Sequence, residues 1–163
     1  MLKLSGQLNP AMGGPPVKQF LEVKVSGLRP EADYQHFDVD NPANNRRSIY
    51  RFVLRTMPDP LMSALDCPDG TQLAPTRSVS MTALQALAMV NDKFIIRQSE
   101  HMAERLAAEN SGLQAQVTTL YRLALCRPPR TEEQAAVMVY ADKYGLANAC
   151  RFLLNTNEFV FVD

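Results

Sequence analysis

Apolar residues recur every three to four positions along most of the chain after residue 45, and this spacing gathers them on one face of an α-helix. The clearest pattern follows the offsets 0, 4, 7, 8, 11 and 12, at Leu113, Val117, Leu120, Tyr121, Ala124 and Leu125. Similar patterns predict helices over residues 46–57, after Thr82, after Asp92, and over residues 131–144 and 146–154. The chain is therefore predicted to be mainly α, a bundle of five or six helices with short connections.

Residues that begin and end helices stand between these patterns. After the first predicted helix, residues 60–65 could add one further turn. Ser80 or Thr82 can cap the next helix, and the pair Asn91–Asp92 breaks or re-caps it. Thr131–Gln134 has the composition of a capping box with acidic side chains in the first turn.

The N-terminal part of the chain has a different character. Residues 1–45 form an irregular arm that is rich in proline and glycine. The alternation LEVKV at residues 21–25 predicts a short β-strand, whose partner would be residues 159–162 or the segment near Val17. We therefore expect an extended arm with one short β pairing, followed by a helical domain over residues 46–163, together forming a single domain.

The composition excludes some kinds of partner. The 163 residues carry a net charge of zero and the pI is near 6.7, so no global field would attract nucleic acid or an anionic membrane. No apolar run approaches the ~18 residues of a membrane span. The N-terminal residues lack the apolar segment of a signal peptide. The sequence thus predicts neither a nucleic-acid partner nor a membrane span, and by itself it leaves the localisation open.

Three cysteines, at positions 67, 126 and 150, lack the CxxC spacing of a metal or redox motif. An odd number excludes a framework in which every cysteine is paired. Cys126 and Cys150 fall on the apolar sides of predicted helices, so we expect buried thiols there. A single disulfide or a reactive Cys67 is the alternative.

Several blocks of the sequence resemble those of a large bacterial family and occur in the family's order. SGQLNPAMGGP at residues 5–15 is similar to its SG.L.P..GGP segment. Residues 46–60 contain RRSIY, RT and PDP, which resemble RRSLY…RT.P.P, and LDCPD at residues 65–69 resembles FDAPD. Residues 77–92 resemble R..TNTPLQAL followed by LND, and residues 154–163 resemble the closing LLN.NEF.YVD. The family that these blocks resemble is the planctomycete-specific domain of unknown function 1553.

The chain departs from the family's pattern at two positions. Ala83 stands where the family usually has proline, and Leu65 stands where phenylalanine is usual. Neither change is expected to alter the fold. Family members normally extend upstream of the position matched by Met1, so the resemblance implies that this chain is the C-terminal portion of a longer domain.

The resemblance implies a setting rather than an activity. Whole family proteins are typically exported, and often carry a second domain of unknown function and a c-type cytochrome segment. This chain has no CxxCH, so neither haem nor another cofactor is predicted for it. We expect an uncharacterised helical module that scaffolds or binds in a periplasmic or secreted protein. Its partners would be upstream domains of the same protein or further copies of the chain.

An arginine stripe is the first candidate for a binding site. Arg47, Arg51 and Arg55 are four residues apart and would line one face of the first predicted helix. Because like charges at that spacing repel each other, a bound carboxylate, sulfate or phosphate could offset the repulsion. The alternatives are a solvated face, or pairing with Asp66, Asp69 or Glu158.

The central loop carries a second candidate. Asp66 and Asp69 could act as acid and base, or bind a hard cation, close to Arg77. Alternatively, such residues cap a helix or pair locally. If the loop and the arginine stripe lined one cleft, the protein could belong to a cytochrome-linked oxidoreductase or a polysaccharide-processing enzyme. That interpretation depends on the other domains that proteins of this family often carry.

Other polar residues are expected to be structural. His36 could bind a metal with Asp38 and Asp40, but strand-like alternation explains this spacing more simply, and no metal site is predicted. Buried amides usually satisfy the backbone at helix ends. We give that structural role to the remaining candidates, which are Gln85, Asn91, Asp92, Asn155, Asn157 and Glu158.

Overall fold

The computed structural model describes four segments of the chain, residues 1–23, 31–54, 56–67 and 82–161. The contacts group the chain into two compact units, one formed by Met1–Gln7 with Val79–Asp163 and the other by Leu8–Ser78. This grouping differs from the arm and helical domain that the sequence suggests, and that division stays a prediction. The described part is mainly α, as the periodicity predicts.

In chain order, the elements of the described part are β1 Leu21–Val23, β2 Glu31–Asp33, α1 Pro60–Ala64, α2 Ala83–Asn91, α3 Lys93–Glu109, α4 Leu113–Leu125, α5 Thr131–Tyr144, α6 Leu146–Leu154 and α7 Asn157–Val160. Two 3-10 turns, Pro42–Asn44 and Ser48–Tyr50, precede α1. The five longest helices, α2 to α6, lie where the apolar periodicity predicts them.

Side-chain caps fix where α2 and α3 begin. The Thr82 hydroxyl accepts a hydrogen bond from the Gln85 backbone N–H at 3.2 Å, and the Gln85 side chain accepts one from the Thr82 N–H at 2.9 Å. This reciprocal pair is a capping box. Asp92 ends α2 and caps α3, since its carboxylate accepts a hydrogen bond from the Phe94 N–H at 2.8 Å. The predicted roles of Thr82 and Asp92 are confirmed.

The start of α5 differs by one residue from the predicted capping box. Arg130 occupies the N-cap position, and Thr131 is already helical. The side chain that bonds the N-cap backbone is Glu133, whose carboxylate accepts a hydrogen bond from the Arg130 N–H at 2.7 Å. The prediction of acidic side chains in the first turn holds, with Glu132 and Glu133 there. The assignment of Thr131 as the cap was wrong.

The larger unit has one continuous apolar core between α3, α4, α5 and α6. Leu106, Val117, Leu120, Ala149 and Cys150 are fully buried in it. The small side chains at positions 149 and 150 allow α6 to lie close to α3, its principal neighbour. Such a core contributes roughly 25 cal/mol for each Å² of apolar surface removed from water.

Only one of the two cysteines expected to be inside is buried. Cys150 is fully buried, and burial raises the pKa of its thiol to about 12. Cys126 is exposed, because it takes the left-handed conformation just after α4 and so leaves the apolar side of the helix. The expectation of burial at Cys126 was therefore wrong. Cys67 is exposed as well, and all three thiols are free.

In the smaller unit the predicted strand forms, but its partner is neither of those expected. β1 pairs with β2 in antiparallel register, Leu21 opposite Asp33 and Val23 opposite Glu31. Two segments close in sequence lose less loop-closure entropy when they pair than distant ones do. Val17 instead forms a parallel bridge with Arg51, and the expected distant partner begins inside α7.

The helix predicted over residues 46–57 was wrong. Ser48–Tyr50 makes a single 3-10 turn, and the chain then runs extended beside Val17. The Val17 N–H donates to the Tyr50 carbonyl, and the Val17 carbonyl accepts from the Phe52 N–H, at 2.8 Å each. The apolar residues that set the helical period do not form a buried face, since Ile49 is 85% and Val53 66% exposed. Bonds from a distant segment thus override the local helical pattern. The further turn predicted at residues 60–65 is present as α1.

Candidate functional site

Arg46 holds together two of the sequence blocks that resemble the family. Its guanidinium lies 3.9 Å from the centre of the Tyr50 ring. It donates hydrogen bonds to the carbonyl oxygens of Pro15 at 3.0 Å, Ala11 at 3.2 Å and Gly13. The Gly13 backbone N–H, in turn, donates to the Tyr50 hydroxyl at 2.9 Å. We call this arrangement the Arg46 latch.

The glycines of the GGP block are required by the shape of the latched loop. Gly13 and Gly14 have φ angles of 75° and 82°, a region that other residues rarely adopt. Arg47 adds a weaker bond, from its guanidinium to the Pro10 carbonyl at 3.3 Å. The RRSIY and GGP blocks therefore contact each other. These contacts account for the residue types in both blocks without a ligand.

Arg51 and Asp59 form a second, more enclosed cluster. Their side chains are 2.5 Å apart and only 15% and 14% exposed. The other carboxylate oxygen of Asp59 caps α1, accepting a hydrogen bond from the Met62 N–H at 3.0 Å. Tyr34 lies nearby, donating its hydroxyl proton to the Met57 carbonyl at 2.7 Å. Burial raises the pKa of Tyr34, and the negative charge of Asp59 adds to the effect.

Tyr34 also belongs to a small group of aromatic rings. The Phe20 ring lies 5.4 Å from Tyr34 and 5.9 Å from Phe52, centre to centre. Phe20 itself is 6% exposed. The Arg51–Asp59 pair thus ties the extended segment and α1 to a small aromatic core. Both oxygens of Asp59 are already engaged, so the pair has the geometry of a structural contact.

The two described members of the arginine stripe do not lie together on a helix. Because the first predicted helix is absent, Arg47 and Arg51 do not share a helical face, and each binds a different group. Arg55, Asp69 and Arg77 lie outside the described residues. Asp66 follows α1 with a φ of 55°, and its N–H bonds the Ser63 carbonyl at 3.2 Å. The prediction that Arg47 and Arg51 share a helix face was wrong. The binding roles of all these residues stay predictions.

Glu158, one of the acids that the sequence allowed as a partner of the stripe, pairs with Arg127. The guanidinium of Arg127 binds both oxygens of Glu158, at 2.6 and 2.7 Å. It also binds both oxygens of Glu133, at 2.8 and 2.9 Å. These three residues lie just after α4, in α7 and in the first turn of α5, so the network joins three helices. The sequence signal for Arg127 was its place just before the two prolines that separate α4 from α5.

The network shifts the ionisation of its acids. The guanidinium of Arg127, and then the Arg130 backbone N–H, lower the pKa of Glu133 to about 2. Arg127 likewise holds the pKa of Glu158 below its ordinary value, and both acids raise the pKa of Arg127. An acid with a lowered pKa in the folded state stabilises the fold fully above its unfolded pKa. That contribution disappears as the pH falls through the folded pKa.

We expect the melting temperature to fall as the pH is lowered from the ordinary glutamate pKa of 4.5 towards 2, in part through Glu133. Substituting Glu133→Gln should lower the melting temperature at neutral pH and make the acid limb of the profile shallower. Thermal melts by circular dichroism across this range would measure both effects. The matched control is Glu132→Gln, one residue away and outside the network. If the melting temperatures of the wild type and Glu133→Gln fell equally steeply with decreasing pH, this account would be contradicted.

The first residues of the chain are held on α3 by polar contacts. Ser5 is 3% and Gln98 1% exposed, and their side chains meet at 2.6 Å. Arg105 donates a hydrogen bond to the Leu4 carbonyl at 2.9 Å. These contacts account for the SG block in the same way as the latch accounts for the GGP block. The sequence pattern gave no sign of the Gln98 contact, because Gln98 alone does not stand out from an amphipathic helix.

The residues interpreted as structural lie at helix ends. Gln85 and Asp92 are caps, and Asn91 is the last residue of α2. Asn155 ends α6, and Asn157 and Glu158 open α7. Asn155 occupies the C-cap position of α6, where its backbone N–H donates to the Phe152 carbonyl at 3.1 Å. The Thr156 hydroxyl adds a bond to the Leu153 carbonyl at 2.8 Å.

His36 does not gather the two acids that follow it. Its Nδ1 lies 2.7 Å from the Asp33 carboxylate, and Asp38 accepts a hydrogen bond from the Asp40 backbone N–H at 3.0 Å. Across the part of the chain that the structure describes, no group of three or more metal-binding side chains lies together. The local turn explains the spacing of these acids.

An apolar surface on α5 and α6 remains uncovered. Val139 is 70%, Tyr144 51% and Phe152 54% exposed. The Tyr140 ring lies 4.8 Å from Tyr144 and 5.8 Å from Phe152, and the Lys143 ammonium lies 4.9 Å from the Tyr144 ring. An open groove of about 580 Å³ runs along this side of α5. We call this the α5 surface; its residues are Ala135, Ala136, Val139, Tyr140, Lys143, Tyr144 and Phe152.

The apolar periodicity of the sequence did not single out this surface. α5 is apolar on two sides, with Val137 and Ala141 facing the core and Val139 and Tyr140 facing away. Both sides contribute apolar residues to the same stretch of sequence, so the exposed side cannot be separated from the buried one before packing is known. An aromatic cluster in water with few polar neighbours is the usual mark of a binding surface.

Comparison with known proteins identifies a family. The family model described as "Protein of unknown function (DUF1553)" matches residues 1–141. No curated protein and no solved structure matches the chain significantly. Among the helices described, none has the length and apolar character needed to cross a bilayer. Since the match spans most of the chain and includes the latch and the blocks around it, the chain belongs to the DUF1553 family of proteins of unknown function.

Proposed function

We propose that this domain is a non-catalytic binding module that scaffolds a larger exported protein. The observation that carries the proposal is the α5 surface, where Val139, Tyr144 and Phe152 are each more than half exposed. Exposed rings of this kind lose water favourably when a partner covers them. The partners would be upstream parts of the same protein or further copies of the chain, and the location would be periplasmic or secreted.

The charged groups support a structural rather than a chemical role. Arg46, Arg51 and Arg127 are each engaged by carbonyl or carboxylate oxygens of the chain itself. A catalytic acid or base needs a pKa near the working pH and access to a substrate. Among the acids that the structure describes, Glu133 has the most strongly shifted pKa, and it moves away from that range because Arg127 stabilises the charged form. The enzyme alternative gains no support from Arg47 and Arg51, which bind separate groups.

Chemical modification of tyrosine tests the proposal. We expect Tyr140 and Tyr144 to react with a phenol-specific reagent in this chain, and at least about fivefold more slowly in a longer protein that contains it, because a partner segment would cover the rings. Peptide mass spectrometry at about 1 µM protein, low enough to avoid weak self-association, gives the rates. Tyr121, which is 4% exposed, is the internal control and should stay slow in both proteins.

Two results would contradict this proposal. Equal reactivity of Tyr140 and Tyr144 in the two proteins would show that no segment of the parent covers the α5 surface. Turnover of a glycan or a redox substrate by the chain alone would contradict the non-catalytic assignment.

A further inference from the structure

The outward side of α5 carries a regular stripe of four residues. Glu132, Ala136, Val139 and Lys143 are spaced four, three and four residues apart, and all four are exposed. At 100° per residue they fall within a sector of about 60°. Val137 and Ala141, which are buried, lie on the opposite side of the helix. The stripe is therefore the part of α5 that points most directly away from the core.

The stripe is complementary to itself when it is reversed. Its two ends carry opposite charges, and its two middle positions hold a small residue, Ala136, and a larger one, Val139. In an antiparallel pair centred between these positions, Glu132 of one helix lies opposite Lys143 of the other, and Ala136 lies opposite Val139. A two-fold axis repeats each contact, which is the usual symmetry of a protein dimer.

We propose that the α5 stripe binds a second copy of this chain in antiparallel orientation. The proposal deepens the proposed function, because it names the occupant of the α5 surface. Opposite charges meet at both ends of the interface, while a parallel pair would place Glu132 against Glu132 and Lys143 against Lys143. The four-three-four spacing is that of the contact seam between paired helices. The Tyr140 rings of both copies would flank the seam on one side and shield it from water.

The size of the surface sets the strength of this association. α5 has 14 residues, and a single helical contact of that length covers less than the ~800 Å² per partner of a standard stable interface. We therefore expect a weak dimer, with a dissociation constant on the order of 10–100 µM. At that affinity the chain would be monomeric when dilute, and would dimerise when a longer protein or a crowded assembly raises its local concentration.

Charge reversal tests both the partner and its orientation. Sedimentation equilibrium of the full chain from about 1 to 300 µM should show a monomer–dimer equilibrium. Glu132→Lys alone, or Lys143→Glu alone, should weaken dimerisation at least about tenfold, because two facing pairs become repulsive. The double variant Glu132→Lys/Lys143→Glu should recover most of the affinity. An equimolar mixture of the two single variants should form a heterodimer, because every facing pair then has opposite charges. The orientation is tested by the single variants themselves, since a parallel pair already places like charges together in the wild type and neither reversal would weaken it.

Folding controls accompany these variants. Reversing these charges works against the helix dipole at either end of α5, so each variant is first compared with the wild type by circular dichroism and thermal melting. Val139→Asp, in the centre of the stripe, should abolish the dimer without changing either measurement. Glu109→Lys, on α3 and outside the stripe, is the matched control and should leave the dissociation constant unchanged.

Each contrary outcome has a distinct meaning. A dimer that tolerates Val139→Asp and both charge reversals would overturn the proposed interface. A chain that stays monomeric throughout, with Tyr140 and Tyr144 shielded in the longer protein, would overturn self-association and leave the binding module standing. A monomer whose tyrosines react equally in both proteins would overturn both proposals.

Discussion

Replacing Leu120 with alanine should lower the free energy of unfolding by about 3–4 kcal/mol. Leu120 is 0% exposed and lies in the core shared by α3, α4, α5 and α6. The change removes three carbon atoms and leaves a cavity that the surrounding helices cannot fully close. Alanine is a better helix former than leucine, so α4 itself is not weakened, and the loss reports packing alone.

Leu84 offers a matched control for this prediction. It lies in α2 and is 71% exposed, so Leu84→Ala removes the same atoms from a side chain that buries little. We expect its effect to stay within about 0.5 kcal/mol. Urea unfolding followed by circular dichroism measures both variants, and hydrogen exchange in α3 and α4 assigns the transition to the larger unit. A cost below about 1 kcal/mol for Leu120→Ala would mean that this core is loosely packed.

The sequence was sufficient for the helices of the larger unit because several local signals agree there. α4 has an uninterrupted apolar period, Gly112 precedes it and two prolines follow it. The start of α2 is set by the Thr82 cap, and Asp92 divides α2 from α3. When period, caps and breakers all indicate the same boundaries, tertiary contacts have little left to decide.

The same reasoning failed over residues 46–57 because the deciding partners are distant in sequence. Arg46 binds carbonyls that lie 31 to 35 residues earlier in the chain. The Val17 backbone forms hydrogen bonds with the Tyr50 carbonyl and the Phe52 N–H, and these bonds require an extended rather than a helical segment there. A local period cannot reveal such partners. The family blocks contained the missing information, since the GGP and RRSIY blocks contact each other, but the pairing becomes visible only in three dimensions.

Among the candidate site residues, too, the sequence predicts the roles that depend on local structure and misses those that depend on tertiary packing. The roles of Gln85 and Asp92 follow from their places at helix ends, which the sequence fixes locally. The pairing of Glu158 with Arg127 depends on where α7 lies relative to the end of α4, and no local pattern shows this. The sequence had left a pairing with the arginine stripe open as one alternative. The α5 surface was missed because exposure is a property of the packed unit and not of a residue type.

Substituting Arg51→Met is expected to destabilise the smaller unit by about 2–4 kcal/mol. Arg51 and Asp59 are 15% and 14% exposed, and the substitution keeps the bulk of the side chain but removes its charge. The Asp59 carboxylate would then stay largely out of water without a counter-ion, and it could not turn away without losing its cap on α1. Hydrogen exchange at residues 31–34 and 51–54, together with urea unfolding, measures the loss where it arises.

A second substitution separates this ion pair from an anion-binding role for Arg51. In Arg51→Met/Asp59→Asn the buried charge is gone, while asparagine can still cap α1, so more than half of the lost stability should return. If Arg51 instead serves a bound anion, the double variant would recover nothing more than Arg51→Met. Sulfate would then stabilise the wild type and not the variants beyond its general salt effect. We expect sulfate to act equally on all three proteins, because the guanidinium already has its carboxylate at 2.5 Å.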